Sequence, residues 1–305
     1  MNLLEDVIVI GGGPAGLSAA LNARLEGMST LLVEKTSWGG RAAQSARIDN
    51  VLGHGGISGP EFVHRAKAHA EREGVITVRD GVERIDGHLV HLASGAAIAA
   101  KTIIVATGLE WRELEIEGLR EALASGKARY GCMYDDGPAM QGKRVGVLGG
   151  ANSAGINALH FAECGAQYVV MFTRGSLRGM SYYLHAQVMK HPRIRFSSGE
   201  LEGIETQGEG LYTTTTHGSR DVVDALFLFP DAKPGAAFLR GAERCEKGFL
   251  VAPDFETSAR GIFVAGDVRS GSTKRIATAI GEGASVIYKV KQFLEEAQRC
   301  RTCVA

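Results

Sequence analysis

The sequence predicts an α/β fold with two similar domains, and three observations support this prediction. A strand, a glycine-rich turn, a helix and a second strand follow one another twice, and the first glycines of the two turns, Gly11 and Gly149, are 138 residues apart. Glycine contributes 41 of the 305 residues and proline only 7, so the glycine excess belongs to individual turns rather than to low-complexity sequence. A chain of this length can also bury two separate cores.

Composition and charge argue against several classes of protein. Lys and Arg total 34 and Asp and Glu total 34, so the formal net charge is zero and gives no general attraction to nucleic acids or acidic membranes. No apolar run reaches the ~20 residues of a membrane span. Glu5 and Asp6 interrupt the N-terminal apolar stretch before it has signal-peptide length, and five scattered cysteines do not form a disulfide framework. We therefore expect a cytoplasmic protein that binds neither nucleic acid nor membrane.

The first repeated unit has the pattern of a phosphate-binding turn. An apolar strand at residues 7–10 leads into Gly11-x-Gly13-x-x-Gly16, a helix at 14–26 follows, and a second strand ends at Glu34. A dinucleotide pyrophosphate needs backbone N–H groups at close range with no Cβ in the way, and a carboxylate at the end of the second strand can accept hydrogen bonds from ribose hydroxyls. This unit therefore predicts a dinucleotide site.

The second unit repeats the plan with changes. A strand at 145–148 leads into Gly149-x-Ala151-x-x-Ala154, a helix continues to Cys164, and another strand covers 169–172. Arg174 stands where the first unit has Glu34, and Arg178 follows it. An arginine there can pair with a 2′-phosphate, so the pattern favours NADPH, with NADH also possible. The alternative is that both arginines are solvated surface charges.

Two dinucleotide turns in one chain suggest FAD at the first and NAD(P)H at the second, with hydride transfer between them. The fold class is then α/β with two Rossmann-like (three-layer ββα) dinucleotide-binding domains. Strands at 103–105 and 262–264 lead into Ala106-Thr107-Gly108 and Ala265-Gly266-Asp267. A long helix at 276–294 follows, with its apolar stripe at Ala277, Ile280, Ala284, Ile287 and Val290.

These marks, in this order, make the chain similar to the low-molecular-weight thioredoxin reductase family over nearly its whole length. The resemblance implies an FAD-binding domain at 1–111 and 239–305, an NAD(P)H-binding domain at 112–238, a homodimer, and rotation of the second domain about hinges at 111–118 and 231–241. It implies as FAD-binding residues Gly11, Gly13, Pro14, Ala15, Gly16, Glu34, Lys35, Gly40, Arg41, Asn50, Val82, Ala106, Thr107, Gly108, Gly266, Asp267, Arg275, Ile276 and Ala277. For the nicotinamide nucleotide the candidates are Gly150, Ala151, Asn152, Ser153, Ala154, Arg174 and Arg178.

The chain departs from the family at its redox motif. The family carries C-x-x-C-D-G-P, whereas this chain has Cys132-Met133-Tyr134-Asp135-Asp136-Gly137-Pro138. Asp135 thus replaces the cysteine that normally faces the flavin, and Asp136 matches the proton-donating acid. Electrons normally leave the flavin through that cysteine, so its loss removes the ordinary route. Cys132, Asp135 and Asp136 remain the catalytic candidates in this segment.

A second cysteine pair stands near the C-terminus. Cys300-x-x-Cys303 has the spacing of a redox dithiol, and Arg299 and Arg301 would favour the thiolate form. We consider two hypotheses: a mobile tail that replaces or partners the missing dithiol, or a frayed terminus with incidental cysteines. The tail offers too few ligands for a zinc site, and we predict no metal.

Three functions are compatible with these features. The first is an NAD(P)H- and FAD-dependent oxidoreductase that reduces a disulfide in a partner protein or small molecule, through Cys132, the Cys300/Cys303 pair, or both. The second is a flavoprotein that reduces another acceptor without a dithiol, such as ferredoxin or flavodoxin, as family relatives lacking the dithiol do. The third is a redox-sensing FAD protein with little turnover.

Overall fold

The structure is a computed structural model that describes residues 4–174, 177 and 179–302, with side chains to residue 299. The chain divides into two compact units. Unit 1 contains residues up to 43, 48–110 and the chain from 233 onward, and unit 2 contains 44–47 and 111–232.

The elements of unit 1 are, in chain order, β1 (Glu5–Ile10), α1 (Pro14–Leu25), β2 (Thr30–Glu34), a 3₁₀ helix (Gly40–Gln44), α2 (Gly59–Arg72), β3 (Ile76–Arg79), β4 (Val82–Asp86), β5 (Leu89–Leu92) and β6 (Ala97–Val105). Next, β7 (Leu109–Trp111) leads the chain out of this unit.

Unit 2 continues with α3 (Leu119–Ala124), β8 (Ala128–Tyr130), α4 (Asp136–Ala139), β9 (Arg144–Leu148), α5 (Asn152–Glu163), β10 (Tyr168–Phe172), α6 (Tyr182–Lys190), β11 (Ile194–Ser197), β12 (Leu201–Gln207), β13 (Gly210–Thr215), β14 (Arg220–Val223) and β15 (Ala225–Leu228). The chain then returns through β16 (Ala232–Pro234), which pairs with β7, to β17 (Ile262–Val264) and α7 (Ile276–Thr302) of unit 1.

The main sheet of unit 1 has the order β3-β2-β1-β6-β5-β4, and β17 also pairs with β6. β3, β2, β1, β6 and β17 run parallel, whereas β4 and β5 are antiparallel additions. Ile10 pairs with both Val33 and Val105, and Val105 pairs with Val264. The carboxyl ends of β1, β2, β6 and β17 therefore lie together at one edge of the sheet.

Helices α1 and α7 pack together over one face of this sheet. Their backbones approach closely at Gly283, where a Cβ would overlap the carbonyl of Ala15. The apolar stripe predicted for α7 is partly wrong, because Ala277 and Ala284 are exposed. The buried positions are instead Ala279, Glu282, Gly283, Val286, Ile287 and Val290.

The central sheet of unit 2 is parallel, with the order β11-β10-β9-β15-β8. Leu148 pairs with Phe172 and Leu228, and Leu228 pairs with Tyr130, so the carboxyl ends of β8, β9, β10 and β15 share an edge. β12, β13 and β14 form a separate antiparallel sheet.

The two parallel sheets with flanking helices confirm the predicted α/β class and the repeated strand–turn–helix–strand plan. Predicted and observed bounds differ by one or two residues in most elements, but α7 continues eight residues past the predicted end, to Thr302. In the part of the chain that the structure describes, no helix is both long and apolar enough to cross a bilayer.

Candidate functional site

The first turn brings three glycines into three different environments. Gly11 has φ +107°, and a Cβ there would lie 2.5 Å from the carbonyl oxygen of Ala106. A Cβ on Gly16 would overlap the carbonyl of Gly11, so this glycine allows α1 to contact the strand. A Cβ on Gly13 would meet only the carbonyl of Gly39, at 4.0 Å. The turn therefore keeps one face open at Gly13.

The open face coincides with the N-terminus of α1. Gly13 is the N-cap residue, no side chain caps the helix in the described structure, and Pro14 at the first helical position has no N–H to leave unpaired. Backbone N–H groups at such an end favour an anion, and the open cradle leaves room for it. The residues Gly11 to Gly16 thus fit a pyrophosphate.

The side chain of Glu34 is fixed beside this turn. The N–H of Gly12 donates to its Oε2 at 2.7 Å, and the N–H of Thr36 donates to its Oε1 at 2.8 Å. The carboxylate is buried, and a Cβ at Gly12 would overlap the ring of Trp38. The remaining lone pairs of the carboxylate can accept hydrogen bonds from ribose hydroxyls, which is the role that the sequence predicts for Glu34.

Two further strand ends complete the edge of the sheet. Ala106, Thr107 and Gly108 follow β6, and Gly266 follows β17 with a would-be Cβ 2.7 Å from the Cβ of Ala15. The hydroxyl oxygen of Thr107 is buried without a hydrogen-bond partner in the described structure. Because buried hydroxyls are almost always paired, this orphaned atom is suited to a ligand group at the same edge.

Asp267, a half-buried acidic residue, lies next to Gly266. Burial raises its pKa, while the charges of Arg41 and Lys274 act in the opposite direction. Burial also lowers the pKa of the Arg41 guanidinium, and Asp267 opposes that effect. The neighbouring Glu282 accepts the N–H of Gly266 at 2.8 Å and pairs with Arg269 at 2.7 Å. Charged groups therefore converge at residues that the resemblance assigns to FAD binding.

The other predicted FAD residues lie at different depths. Lys35 lies against Gly81, beside the half-buried Val82 of β4. Gly40 and Arg41 begin the 3₁₀ helix, and Asn50 is exposed on a bend. Arg275, Ile276 and Ala277 stand at the start of α7, where Arg275 and Ala277 are exposed.

The second turn resembles the first but is less open. Gly149 has φ +139°, and Ala151 is the N-cap of α5, with no side-chain cap in the described residues. A Cβ on Gly179 would lie 3.1 Å from the Cβ of Ala151. The Oδ1 of Asn152 accepts the N–H of Ser181 at 2.7 Å, which ties the α6 segment to the turn.

Gly150 lies in this second turn beside Ala151, Ser153 belongs to the first helical turn of α5, and Ala154 is buried one residue further along. The uncapped helix end fits a second anionic nucleotide.

Arg174 follows β10 at the same edge, as predicted. It is exposed, and its Nε lies 3.8 Å from Oε1 of Glu200. The other predicted arginine, Arg178, lies outside the described residues.

The Cys132 segment follows β8 at the carboxyl edge of the same sheet as the second turn. Cys132 is 2% exposed, belongs to the hydrophobic core of unit 2, and donates its S–H to the carbonyl of Met133 at 3.0 Å. Burial raises the pKa of the thiol, and the nearby Asp136 carboxylate raises it further. The thiol therefore stays protonated and is a weak nucleophile.

The two acidic candidates in this segment differ sharply. Asp136 is buried, accepts a hydrogen bond from Arg129 Nη1 at 2.6 Å, and accepts the N–H of Met133 at 2.7 Å. Both carboxylate oxygens of Asp136 thus accept hydrogen bonds within this segment, and the proton-donating role that the resemblance implies stays a prediction. Asp135 is exposed at the N-cap of α4 and makes no capping hydrogen bond.

Sequence reasoning missed the groups that hold this segment. His160 on α5 stacks on Tyr134 and contacts its carbonyl at 2.9 Å through Nε2, and a Cβ on Gly137 would overlap the imidazole. Arg129, seven residues before Asp136, was also missed. No motif marks either residue, because both contacts depend on how α5 and β8 pack.

The C-terminal pair is described only in part. The backbone of Cys300 lies in α7, and Cys303 lies outside the described residues, so both hypotheses for this pair stay predictions. Among the described residues, no cluster of His, Cys, Asp or Glu could hold a metal ion.

Comparison with known proteins assigns this arrangement to a family. The model of the pyridine nucleotide-disulphide oxidoreductase family matches residues 5–283. The chain belongs to this family. It is 30% identical to the thioredoxin reductase of Bacillus subtilis over 97% of this chain and 96% of the relative. It is 32% identical to a component of the alkyl hydroperoxide reductase of Pseudomonas putida over 92% of this chain and 56% of that relative.

Solved structures agree. Thioredoxin reductase of Lactococcus lactis in its FR conformation superposes with a TM-score of 0.87 at 27% identity, covering 96% of this chain and 99% of the other. That of T. acidophilum gives 0.85 at 25% identity, with the same coverage. The chain is thus a thioredoxin reductase-like oxidoreductase, and FAD and NADPH are the cofactors of its family.

Proposed function

We propose that this chain oxidises NADPH through FAD and reduces a disulfide acceptor that is not attacked by Cys132. The choice of a disulfide as the acceptor rests on the description of the family and on the name of the Bacillus subtilis relative, thioredoxin reductase. The observation that carries the route is the Cys132 segment, with its buried thiol of raised pKa and a carboxylate at position 135. A protonated, enclosed sulfur cannot attack an acceptor at a useful rate.

The residues of the two turns position the nucleotides. When bound, FAD would supply the two-electron chemistry that links oxidation of NADPH to reduction of the acceptor. The backbone N–H groups of the turn from Gly11 to Gly16 would hold the pyrophosphate of FAD, Glu34 would hold its adenosine ribose, and Asp267 and Arg41 would contact its ribityl chain. The turn from Gly150 to Ala154 would hold NADPH. One hydride and one proton convert one disulfide to two thiols.

The C-terminal cysteine pair is far from the start of its own helix, α7. From Ile276 to Cys300, α7 rises about 36 Å at 1.5 Å per residue. If Ile276 contacts the flavin edge, Cys300 of the same chain lies too far away to accept its electrons. A relay through Cys300 and Cys303 would therefore require the other protomer of a homodimer or an external disulfide.

The setting we propose is the cytoplasm, where thiols are kept reduced.

The test uses the purified FAD-loaded chain without oxygen. NADPH or NADH is added while the visible absorbance of the flavin is followed, and thioredoxin, a small disulfide and ferredoxin are then offered in turn. We expect flavin reduction and then disulfide turnover that survives Cys132→Ser. Turnover abolished by Cys132→Ser, with flavin reduction intact, would contradict the proposed route.

A variant lacking residues 299–305 tests the C-terminal relay in the same assay. If the pair carries electrons, this variant keeps flavin reduction by NADPH but loses disulfide turnover. Unchanged disulfide turnover would exclude the relay and leave direct reduction of the acceptor at the flavin.

Asp135 favours a second function, because a carboxylate at this position cannot form the sulfur–flavin adduct that a cysteine forms. The chain would then reduce a ferredoxin or flavodoxin without any cysteine. Rapid ferredoxin reduction that is indifferent to every cysteine variant, without disulfide turnover, would support it. Flavin that neither nucleotide reduces would leave only a redox-sensing role.

A further inference from the structure

Two oppositely charged side chains meet at the carboxyl edge of the unit 2 sheet. Arg174 follows the end of β10 by two residues, and Glu200 follows the end of the neighbouring β11 by three. Phe172 and Ser197 are paired at the ends of these parallel strands, so both loops leave the sheet side by side. The Nε of Arg174 lies 3.8 Å from Oε1 of Glu200.

The backbone of Glu200 is fixed, although its side chain is exposed. Its N–H donates to Oγ1 of Thr216 at 3.0 Å, and its carbonyl accepts the N–H of Thr216 at 2.9 Å. These two bonds anchor the residue to the end of β13. Arg174 and Glu200 are 73% and 57% exposed, so both charged groups are accessible to a ligand.

We infer that Glu200 is a selectivity residue that offsets part of the preference of Arg174 for NADPH. This inference rests on the proposed nicotinamide nucleotide site at the second turn. A 2′-phosphate must compete with the Glu200 carboxylate for the guanidinium and is repelled by that carboxylate. The 2′-hydroxyl of NADH suffers no such repulsion and can donate a hydrogen bond to the carboxylate. The wild-type site therefore discriminates only weakly between the two nucleotides.

The test measures binding of adenosine fragments, so that it does not depend on turnover. The full-length, FAD-loaded chain is titrated calorimetrically with 2′,5′-ADP and with 5′-AMP, and the ratio of their affinities is the readout. Glu200→Gln should raise the preference for 2′,5′-ADP by roughly five-fold at low salt, the size expected for exposed charges, and less at high salt. Arg174→Gln should lower this preference.

Glu209→Gln is the matched control. Glu209 is an exposed acid in the turn after β12, and this strand of seven residues carries it about 23 Å from Glu200. The control removes the same charge from the same unit and should leave the preference unchanged.

The inference would be overturned if the affinity ratio of Glu200→Gln stayed within two-fold of the wild-type ratio, or if Glu209→Gln shifted the ratio equally. It would also be overturned if neither fragment bound to any variant. If the fragments bind and the preference shifts as expected but NADPH does not reduce the flavin, the proposed function fails while the selectivity role of Glu200 stands.

Discussion

Two glycines of the first turn, three residues apart, differ in what a side chain would meet. Gly16 faces the carbonyl of Gly11, so its missing Cβ is a packing requirement of the protein itself. A Cβ on Gly13 would meet only the carbonyl oxygen of Gly39, at 4.0 Å, and its φ of −76° is one that any residue adopts. Its missing Cβ is therefore a requirement of the ligand. The sequence pattern assigns close approach to the pyrophosphate to the second glycine and helix packing to the third, and the structure gives the two positions matching surroundings.

This difference predicts opposite results for two alanine substitutions. Gly13→Ala should leave the unfolding temperature of the FAD-free protein nearly unchanged and weaken FAD about ten-fold, or about 1.4 kcal/mol, because its methyl enters the cradle. Gly16→Ala should destabilise the fold by about 3 kcal/mol through overpacking against backbone. Thermal unfolding and FAD fluorescence titration measure the two effects. Equal loss of stability in both variants would contradict the assignment.

The buried thiol of Cys132 predicts a pH dependence of stability. Because its pKa is raised above the ordinary value of 9.0, the folded chain holds this proton more tightly than the unfolded chain does. The resulting stabilisation is fully present below the unfolded pKa and is lost as the pH rises through the folded pKa. Between pH 9 and 10 the free energy of unfolding should therefore fall more steeply in wild type than in Cys132→Ala, by up to about 1.4 kcal/mol per pH unit.

Denaturant titrations at pH 8, 9 and 10 provide this measurement. The cavity left by Cys132→Ala lowers the stability at every pH, so the slope against pH is the quantity to compare. Parallel curves for the two proteins would show that the thiol is not protected by the fold.

At the scale of secondary-structure elements, the packing of α7 shows how far sequence periodicity reaches. The pattern correctly places the start of the helix at Ile276, since apolar residues recur at helical spacing beyond it. It misplaces the end, because residues 295–302 carry no apolar signal although Glu, Ala, Gln and Arg favour helix. It also misassigns part of the buried face, because glycine at position 283 has no hydrophobic signature.

Two glycines of α7 provide a matched test of this interface. Gly283→Ala should destabilise unit 1 by about 2–3 kcal/mol, because the methyl would press on the backbone of α1. Gly281 is exposed with nothing near its Cβ position, so Gly281→Ala should stabilise the helix by roughly 0.5–1 kcal/mol. Denaturant unfolding of the two variants checks the signs, and changes of the same sign would be incompatible with the packing described.

At the scale of the whole molecule, the chain consists of two units with their own hydrophobic cores. Buried clusters around α1 and α7 belong to unit 1, and those around α5 and β12–β14 belong to unit 2. The zero net charge of the chain hides local charges of opposite sign, with Glu34 at one turn and Arg174 at the other. Composition alone could not reveal this division.

Separate cores predict two thermal transitions. In calorimetry of the FAD-free chain, added FAD at 100 times its Kd should stabilise unit 1 by about 2.7 kcal/mol and raise its transition by about 5–10 °C. The transition of unit 2 should move far less. A single transition that moves as a whole would mean that the two units unfold together.

Much of the fold and part of the site could be predicted from the sequence. Local features could be predicted, whereas contacts that depend on tertiary packing could not. The turns from Gly11 and Gly149 are local, so spacing predicts them. The pairing of Arg129 with Asp136, the stacking of His160 on Tyr134 and the approach of Glu200 to Arg174 join residues of different elements. These contacts depend on packing, and no short motif encodes them.

The position of Asp135 has a consequence for the history of such proteins. Its side chain is exposed and makes no capping hydrogen bond. We therefore expect exchange between aspartate and cysteine there to be nearly neutral for stability. On that expectation, a lineage could gain or lose an internal dithiol at this site without a large loss of stability. The electron acceptor could then change while the fold around the two turns stays the same.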